Sequence, residues 1–400
     1  MSTMNGFNGF NGFNGFNGFN GFNGFNGFNG FNGFNGFNGY GTHAYNGTQV
    51  GALIQTRGAL VTIKELKDTI KDPANAWDPD PAWMISPAKL PTANLEDKHL
   101  VLRDPVTRGH LFAGEMLSGM AFKGTGEKSK VTFGGKPVIE ITRPKFETFV
   151  RQMQEVQTYA KLRPERANEV LSQLSPQFAF WSSIGNLNPD TTPKTIELIS
   201  TALNFVMVVC QRIKHQLACP RPIEYSPLVQ PIMLTPAYSA FPSGHATEAY
   251  AFAILFSALT GQKLTGKTPS FESVQLMRLA RRIAENRVIA GVHFPVDALA
   301  GYLLGRTLIE LFVARCGEKL PDDPSTVGNY FPTELEASLS SFPNDFSNGD
   351  GVTVVEEEIA KRKRWAKRGK VQSAGVASPM LKELWKNARL EMTHRRDYGF

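Results

Sequence analysis

Side chains able to act on an anion lie in three short segments in the middle of the chain. The first segment carries Lys214 and, seven positions later, Arg221, which is followed by Pro222. Pro220 lacks an amide hydrogen and biases its neighbour away from helical geometry, so we expect the helix that holds Lys214 to end before Arg221. The chain then turns, and the lysine point charge and the planar guanidinium fork can approach one anion from different sides.

The second segment is Pro242-Ser243-Gly244-His245, which is typical of the start of a helix. Ser243 is a natural N-cap, and Gly244 lets the backbone come close to a ligand. The free amide groups at such a start, together with the positive end of the helix dipole, bind anions. His245 would lie in the first turn and point toward whatever binds there.

The third segment begins with Asn286 and Arg287 and continues, after five further residues, to His293 and Asp297. Arg287 lies near the end of one predicted helix, and Asp297 lies at the start of the next. A carboxylate within reach of one ring nitrogen fixes the tautomer and raises the basicity of the other nitrogen. A nucleophilic or metal-ligating histidine needs this arrangement.

Each segment alone is weak, because such residues are more often surface groups or hydrogen-bonded core groups. Their order within residues 214–297, and the position of each at a predicted helix boundary, make chance a poor explanation. We therefore expect the three segments to form one binding site for a tetrahedral oxyanion, phosphate or vanadate.

Together the three segments resemble the signature of the type 2 phosphatidic acid phosphatase superfamily. Lys-x6-Arg-Pro, Pro-Ser-Gly-His and Arg-x5-His-x3-Asp occur in this order, and the resemblance covers about residues 145–315. The superfamily includes bacterial acid phosphatases, membrane lipid phosphatases and vanadium-dependent haloperoxidases, and the chain looks most like a soluble vanadium haloperoxidase. The resemblance implies a mainly α fold, a helical bundle of the acid phosphatase/vanadium haloperoxidase type.

The resemblance also implies a role for the motif residues. His293 would bond the phosphorus or vanadium atom, which makes it the metal ligand where vanadate is bound. His245 would be the acid–base residue, and Asp297 would support His293. The oxygens of the anion would be held by five residues: Lys214, Arg221, Ser243, Gly244 and Arg287.

Two residues depart from the family pattern. Asn286 stands where the third motif usually begins with serine, so a neighbouring hydrogen bond can change, although asparagine can still make one. Tyr238 stands seven residues before His245, where histidine or phenylalanine accompanies different halide preferences among the haloperoxidases. The halide preference is therefore left open.

Helical periodicity dominates the chain after Pro144. Apolar residues recur at helical spacing from Phe146 to Leu162, and Pro164 restarts a helix. Further helices are predicted at about 194–216, just after Pro242, at 271–288 and at 296–315. No stretch of comparable length alternates with period two. These helices would place the three motifs at helix ends.

The sequence predicts four regions. Residues 1–45 hold twelve tripeptide units of the Asn-Gly-Phe type and are expected to be disordered, either self-associating or a neutral expansion. Residues 46–143 would form a mixed covering layer and residues 144–321 the catalytic bundle. Residues 322–400 would form a loop-rich region and a basic tail.

The charge distribution and the cysteines limit the kinds of partner and structural site that the sequence indicates. Residues 356–400 carry twelve Lys and Arg against six acidic residues, which accounts for about +6 of the net charge of +7. We interpret this segment as a solvated tail rather than a nucleic-acid surface.

The three cysteines show no CxxC pairing, so neither a disulfide framework nor a zinc site is indicated. No signal peptide or convincing transmembrane helix is visible, which leaves the cytoplasm as the default location.

Three functions are compatible with these observations. The first is a vanadate-dependent haloperoxidase, an oxidoreductase that uses hydrogen peroxide to oxidise halide to a hypohalous species, which halogenates a small organic substrate. The second is a soluble phosphatase of the same superfamily that acts through a phosphohistidine at His293. The third is a non-enzymatic assembly protein that acts through the N-terminal repeat. The absence of a visible membrane span and the added N-terminal layer favour the first, while the organic substrate and homo-oligomer formation stay open.

Overall fold

A computed structural model of the chain describes residue 103 and residues 105–174, 177–264, 270–321, 326–337 and 366–397. The Asn-Gly-Phe repeat and most of the predicted covering layer lie outside these residues, so the predictions made for them stay predictions. The chain divides into two compact units, Met1–Val106 and Thr107–Phe400. All but three of the described residues belong to the second unit.

The described residues are mainly α, as the sequence predicted. The predicted helices at 194–216, 271–288 and 296–315 correspond to α5, α8 and α9, with bounds that agree to within one residue. The helices in chain order are α1 Pro105–Leu117, α2 Phe146–Tyr159, α3 Arg163–Ser172, α4 Phe178–Gly185, α5 Pro193–Leu217, α6 Pro222–Tyr225, α7 Gly244–Thr260, α8 Phe271–Ile289, α9 Pro295–Arg315 and α10 Pro379–Asp397. Two short 3-10 helices lie at Ala160–Leu162 and Pro227–Val229.

Helix α7 lies at the centre of the bundle and packs against α5, α8 and α9. It begins after Ser243, whose Oγ accepts a hydrogen bond from the Ala246 amide at 3.4 Å, and it ends at Gly261, which has a φ of 69°. Nearly all side chains between these caps are buried, so the helix is apolar on every face rather than amphipathic. The N-cap places His245 in the first turn.

Two glycines of α9 let this helix approach α7 closely. A Cβ on Gly301 would lie 2.8 Å from the carbonyl oxygen of Ser243, and a Cβ on Gly305 would lie 2.7 Å from the carbonyl oxygen of Thr247. Since backbone atoms of a packed helix cannot move aside as a flexible side chain can, glycine is required at both positions. This contact fixes the start of α7 against the first turns of α9, which carry Asp297.

Helix α5 has a proline in its first turn and ends at Ala218, which has a φ of 46°. Among the described residues, the stretch Pro193–Tyr225 is the one that is long and apolar enough to cross a membrane, and 61% of its most apolar window is buried inside the protein. A core helix of a globular protein meets the same criterion, so α5 alone is weak evidence for a membrane span. The cytoplasmic location stays a prediction.

A five-stranded sheet packs beside α5 and α9. Its strands in spatial order are β1 Met120–Gly124, β2 Lys128–Phe133, β3 Lys136–Thr142, β5 Thr333–Glu336 and β6 Ala366–Arg368. Neighbouring strands are antiparallel except β3 and β5, which are parallel with Ile139 opposite Thr333. The two short strands β4 Asn329–Tyr330 and β7 Gln372–Ser373 pair separately. The sheet therefore joins the segment before the bundle to the segment after it.

The C-terminal part of the chain differs from the predicted solvated tail. Helix α10 packs against α5 and α7. Trp385 and Ala388 are buried in this contact, and the Glu391 carboxylate accepts hydrogen bonds from two backbone amides at the start of α5, at 2.8 and 2.7 Å. The expectation of a solvated, loop-rich tail does not hold for these residues, because the basic side chains occupy only part of an amphipathic helix.

Candidate active site

Lys214 and Arg221 are held near the end of α5 by the loop that precedes α7. The Lys214 Nζ donates to two carbonyl oxygens of this loop, at 2.7 and 2.9 Å. The Arg221 guanidinium donates from Nε to the carbonyl oxygen of Tyr238 at 2.9 Å and from Nη1 to that of Val292 at 2.8 Å. Both cations are 1% exposed, so the fold brings the two predicted residues together in the interior.

The start of α7 joins the second motif to the other two. The Ser243 amide donates to the main-chain carbonyl oxygen of Asp297 at 2.9 Å. A Cβ on Gly244 would lie 4.0 Å from Cε of Lys214 and 3.4 Å from Cε of Met207. The helix start therefore lies between the first and third motifs, and the three segments converge there.

His293 and Asp297 form a buried pair at the entry to α9. Nδ1 of His293 lies 2.9 Å from Oδ2 of Asp297, and the same oxygen accepts a hydrogen bond from the Phe294 amide at 2.9 Å. With the proton assigned to Nδ1, which faces the carboxylate, Nε2 keeps its lone pair. That nitrogen lies 3.4 Å from Nη1 of Arg221. The lone pair of His293 therefore faces the cations of the first motif.

Arg287 and His245 both contact the C-terminal end of α3. Nη2 of Arg287 donates to the carbonyl oxygen of Val170 at 2.9 Å and to Oε1 of Gln173 at 3.4 Å. The backbone of Gln173 and Leu174 lies close to the His245 ring and acts to raise its pKa. One short segment therefore contacts a predicted anion-binding cation and the predicted acid–base residue.

The electrostatic field around His293 is strongly positive. Burial, and then the positive charges of Arg221 and Lys214, lower the pKa of His293 well below its usual range, so the ring is neutral. Burial lowers the pKa of Lys214 to about 8 and that of Arg287 to about 10, which leaves both protonated at neutral pH. Burial raises the pKa of Asp297 to about 7, so this carboxyl group is only partly ionised there. A field of this sign favours an anion.

Two buried nitrogen atoms of the site have no hydrogen-bond partner among the described residues: Nε of Arg287 and Nε2 of His245. Buried polar atoms are nearly always satisfied, and an anion oxygen is a suitable acceptor for Nε–H of Arg287 and, once the ring is protonated, for Nε2 of His245. These atoms, the buried cations and the amides at the start of α7 fit a tetrahedral oxyanion such as phosphate or vanadate. The neutral Nε2 of His293 fits the central atom of that anion.

Comparison with known families agrees with this geometry. Residues 195–319 match the PAP2 superfamily. The match covers 125 of the 400 residues and contains all eight predicted site residues. No curated protein matches the chain. The comparisons therefore show that this part of the bundle is similar to the PAP2 superfamily, and they do not assign it to a particular branch.

Tyr238 lies over two cations of the candidate site. Its ring centroid is 5.4 Å from Nζ of Lys214 and 5.1 Å from the guanidinium carbon of Arg221, within cation–π range. The side chain is 47% exposed, so it links the buried cations to the protein surface. The position of Tyr238 does not indicate which halide would be preferred, so the halide preference stays open.

Asn286 occupies the position before Arg287, the arginine of the third motif. Its Nδ2 donates to Glu169 at 2.9 Å and to Gln173 at 2.8 Å, and its Oδ1 accepts from Arg166 at 2.7 Å. The asparagine therefore makes several buried hydrogen bonds at this position. Glu169 and Gln173 could not be predicted from the sequence, because their hydrogen bonds with α8 join residues more than 110 positions apart. Their spacing of four residues was a weak signal.

Glu248, one turn after His245 in α7, is a third residue that was not predicted from the sequence. Burial raises the pKa of this carboxyl group to about 7, and its charge acts on Tyr238 and Cys210. A carboxyl group that titrates near neutral pH one turn from the predicted acid–base residue is a candidate for proton exchange. The sequence signal was a single acidic residue in an otherwise apolar helix.

Proposed function

We propose that the chain is an enzyme that binds a tetrahedral oxyanion in its candidate active site and acts on it through His293. The observation that carries the proposal is the set of three buried cations, Lys214, Arg221 and Arg287, close to one neutral histidine. Buried cations with a structural role are normally paired with carboxylates. Within the described part of the chain, none of the three forms an ion pair with an Asp or Glu side chain, so their charge is available to a ligand.

Hydrolysis of a phosphomonoester is the reaction that the PAP2 match supports most directly, since members of this superfamily are usually phosphatases. The Nε2 lone pair of His293 would attack phosphorus, and the ester oxygen would leave with a proton from His245. Water would then release phosphate from the phosphohistidine, with His245 accepting the proton. The three cations would stabilise the charge on the other oxygens, and Asp297 would stabilise the positive imidazole.

This phosphatase reaction requires His245 to gain a proton. Burial, and then the positive charge of Arg287, lower the pKa of His245 to about 3, so the ring is neutral in the free protein at neutral pH. The negative charge of a bound phosphomonoester would offset Arg287 and Lys214 and raise this pKa. The proton would therefore be taken up together with the substrate.

A vanadate-dependent haloperoxidase is the second candidate, and the neutral ring of His245 favours it. Its cofactor would be vanadate, and its substrates would be hydrogen peroxide, a halide and a small organic molecule. Vanadate, when bound, would supply Lewis-acid activation of the peroxide. The three cations and the start of α7 would hold the vanadate oxygens, and Nε2 of His293 would be the vanadium ligand. His245 is already neutral in the free protein, so it could accept a proton from hydrogen peroxide directly.

One assay series separates the two reactions. The purified full chain is assayed for phosphate release from p-nitrophenyl phosphate, and for oxidation of bromide and iodide by hydrogen peroxide, each with and without orthovanadate. Phosphate release that vanadate inhibits supports the phosphatase. Halide oxidation that requires vanadate supports the haloperoxidase. A chain that shows neither activity and binds neither phosphate nor vanadate contradicts the enzyme proposal.

His293→Ala tests the site itself. Whichever activity the full chain shows should fall by about a thousandfold or more, since loss of the group that bonds the central atom removes the main catalytic interaction. His215→Ala is the matched control, because this histidine is exposed on α5 next to Lys214 and is none of the eight site residues. Full activity in His293→Ala would refute the site, and loss of activity in both variants would show that the effect is not specific to His293.

A further inference from the structure

We infer that Gln173 is a positioning residue for anion binding, whose side chain fixes the guanidinium of Arg287 through a network with Glu169 and Asn286. The inference rests on the proposed oxyanion site, of which Arg287 is a member. It adds to that site Glu169 of α3 and Gln173 directly after this helix, which lie outside the three motifs and before the range that matches the PAP2 superfamily.

Gln173 lies at the centre of a buried polar network between α3 and α8. Its Nε2 donates to Oε1 of Glu169 at 3.0 Å, while its Oε1 accepts from Nδ2 of Asn286 at 2.8 Å and from Nη2 of Arg287 at 3.4 Å. The donation to Glu169 determines which end of the amide faces Arg287. Gln173 and Asn286 are both fully buried, so water does not compete for these hydrogen bonds.

Glu169 anchors the network at the protein surface. Its carboxylate accepts hydrogen bonds from Arg282 at 2.6 to 2.9 Å and from Asn286 at 2.9 Å. Burial acts to raise the pKa of Glu169, but the hydrogen bonds from Arg282 and Asn286 outweigh it and lower the pKa below the usual value. The carboxylate therefore stays ionised near neutral pH and remains an acceptor for the Gln173 amide.

Arg287 has few other contacts that could orient its guanidinium. Nη2 donates to the carbonyl oxygen of Val170 at 2.9 Å, and Nη1 lies 3.9 Å from Sδ of Met233, a weak acceptor. Nε has no partner among the described residues. The carbonyl of Val170 and the amide of Gln173 therefore set the plane of the guanidinium fork, and a planar fork binds oxyanions only in the correct plane.

The backbone of Gln173 and Leu174, directly after α3, also lies beside the His245 ring and acts to raise its pKa. A change at Gln173 therefore acts first on the orientation of Arg287 through the side chain. The backbone contact with His245 does not depend on the side chain of residue 173, so a substitution that keeps the helix intact separates the two effects.

Gln262 supplies a matched control. It is also a buried glutamine, with Nε2 donating to Glu272 and Oε1 accepting from Ser273 at 3.0 Å. None of these partners belongs to the site. Replacement of either glutamine by methionine keeps the side-chain length and removes its side-chain hydrogen bonds, three at Gln173 and two at Gln262. A purely structural effect should therefore appear in both Gln173→Met and Gln262→Met.

The test measures orthovanadate binding to the full chain by titration calorimetry, together with the melting temperature of each variant. Both variants should melt at a lower temperature than the unsubstituted chain. Only Gln173→Met should bind vanadate more weakly, by about tenfold, the usual effect of removing a hydrogen-bond partner behind a ligand-holding group. Unchanged vanadate affinity in Gln173→Met, or an equal loss of affinity in both variants, would overturn the inference.

Glu169→Gln provides a second route if Gln173→Met does not fold. Position 169 is partly exposed. The amide of the new glutamine would pair less strongly with Arg282 than the carboxylate does, and it would no longer fix the orientation of the Gln173 amide. Weaker vanadate binding is expected, and unchanged affinity in this variant would overturn the inference. If the unsubstituted chain binds neither vanadate nor phosphate, the proposed oxyanion site is refuted. This outcome differs from vanadate binding that does not change when Gln173 is substituted.

Discussion

The proposed reactions need a lone pair at Nε2 of His293. A histidine in water is partly protonated near neutral pH, and a protonated ring cannot attack phosphorus or bind vanadium. Burial beside Arg221 and Lys214 lowers the pKa of His293, while the Asp297 carboxyl group faces the other ring nitrogen at 2.9 Å. The cations that would hold the anion therefore also keep His293 unprotonated.

His245 gives a prediction about stability in acid. Burial, and then the positive charge of Arg287, lower its pKa from 6.5 to about 3 in the folded chain. Between these values the unfolded chain binds a proton at this residue and the folded chain does not. The stabilising contribution is therefore fully present above about pH 6.5 and is lost as the pH falls toward 3.

The measurement is the free energy of unfolding from guanidinium chloride denaturation at pH 7 and at pH 5, for the unsubstituted chain and for His245→Gln. Glutamine does not titrate, so the variant should lose less free energy of unfolding over this interval. The difference should be at most about 1.4 kcal/mol per pH unit, the value for one proton. An identical pH dependence in the two chains would show that His245 titrates normally in the folded state.

At the scale of elements, the site depends on how closely the starts of α7 and α9 approach each other. The Ser243 amide donates to the Asp297 carbonyl at 2.9 Å across this contact, and Gly301 allows it. We expect Gly301→Ala to destabilise the chain by about 1–3 kcal/mol, because the added Cβ would lie 2.8 Å from the Ser243 carbonyl oxygen. Vanadate binding should weaken as well, because the helix start would move away from His293.

Gly114→Ala is the control for this prediction. Gly114 lies inside α1, and a Cβ at this position meets nothing within 4 Å, so alanine should stabilise the helix by about 0.5–1 kcal/mol. Chemical denaturation and vanadate titration of the two variants give the comparison. Wild-type stability in Gly301→Ala would show that α7 and α9 can separate without cost.

Helices and motif positions could be predicted from the sequence because both are local properties. The N-cap at Ser243 and the spacing of His293 and Asp297 each lie within a few residues, and the fold places them as expected. The pairing of Gln173 with Arg287 could not be predicted, because it joins residues 114 positions apart and depends on how α3 packs against α8. The five-stranded sheet was not predicted for a similar reason, since its strands are short and one pairing joins residues 139–142 to 333–336.

At the scale of the whole molecule, helix α10 is an element that the basic composition of its segment did not predict. Leu381, Trp385 and Ala388 recur at helical spacing and are buried, but the surrounding lysines and arginines suggested a solvated tail. Because Glu391 caps two amides at the start of α5, α10 supports the helix whose other end carries Lys214. The C-terminal segment therefore contributes to the domain that holds the site.

The two ends of the chain should accordingly have opposite effects when they are removed. A chain that starts at residue 46 lacks the repeat but keeps all eight site residues and their hydrogen bonds, so its vanadate affinity and turnover should equal those of the full chain. A chain that ends at residue 378 loses α10 and the burial of Trp385, and the loss of a buried tryptophan side chain alone costs about 3–5 kcal/mol. It should melt at a lower temperature and bind vanadate weakly or not at all.

Thermal unfolding and vanadate titration of both truncated chains, beside the full chain, test this contrast. Loss of turnover without loss of stability in the chain that starts at residue 46 would support a role of the repeat in function, as the assembly hypothesis requires. Full stability in the chain that ends at residue 378 would show that α5 holds Lys214 in place without α10. The expected result, in which only the C-terminal truncation impairs binding, would place the anion site and its support entirely after residue 45.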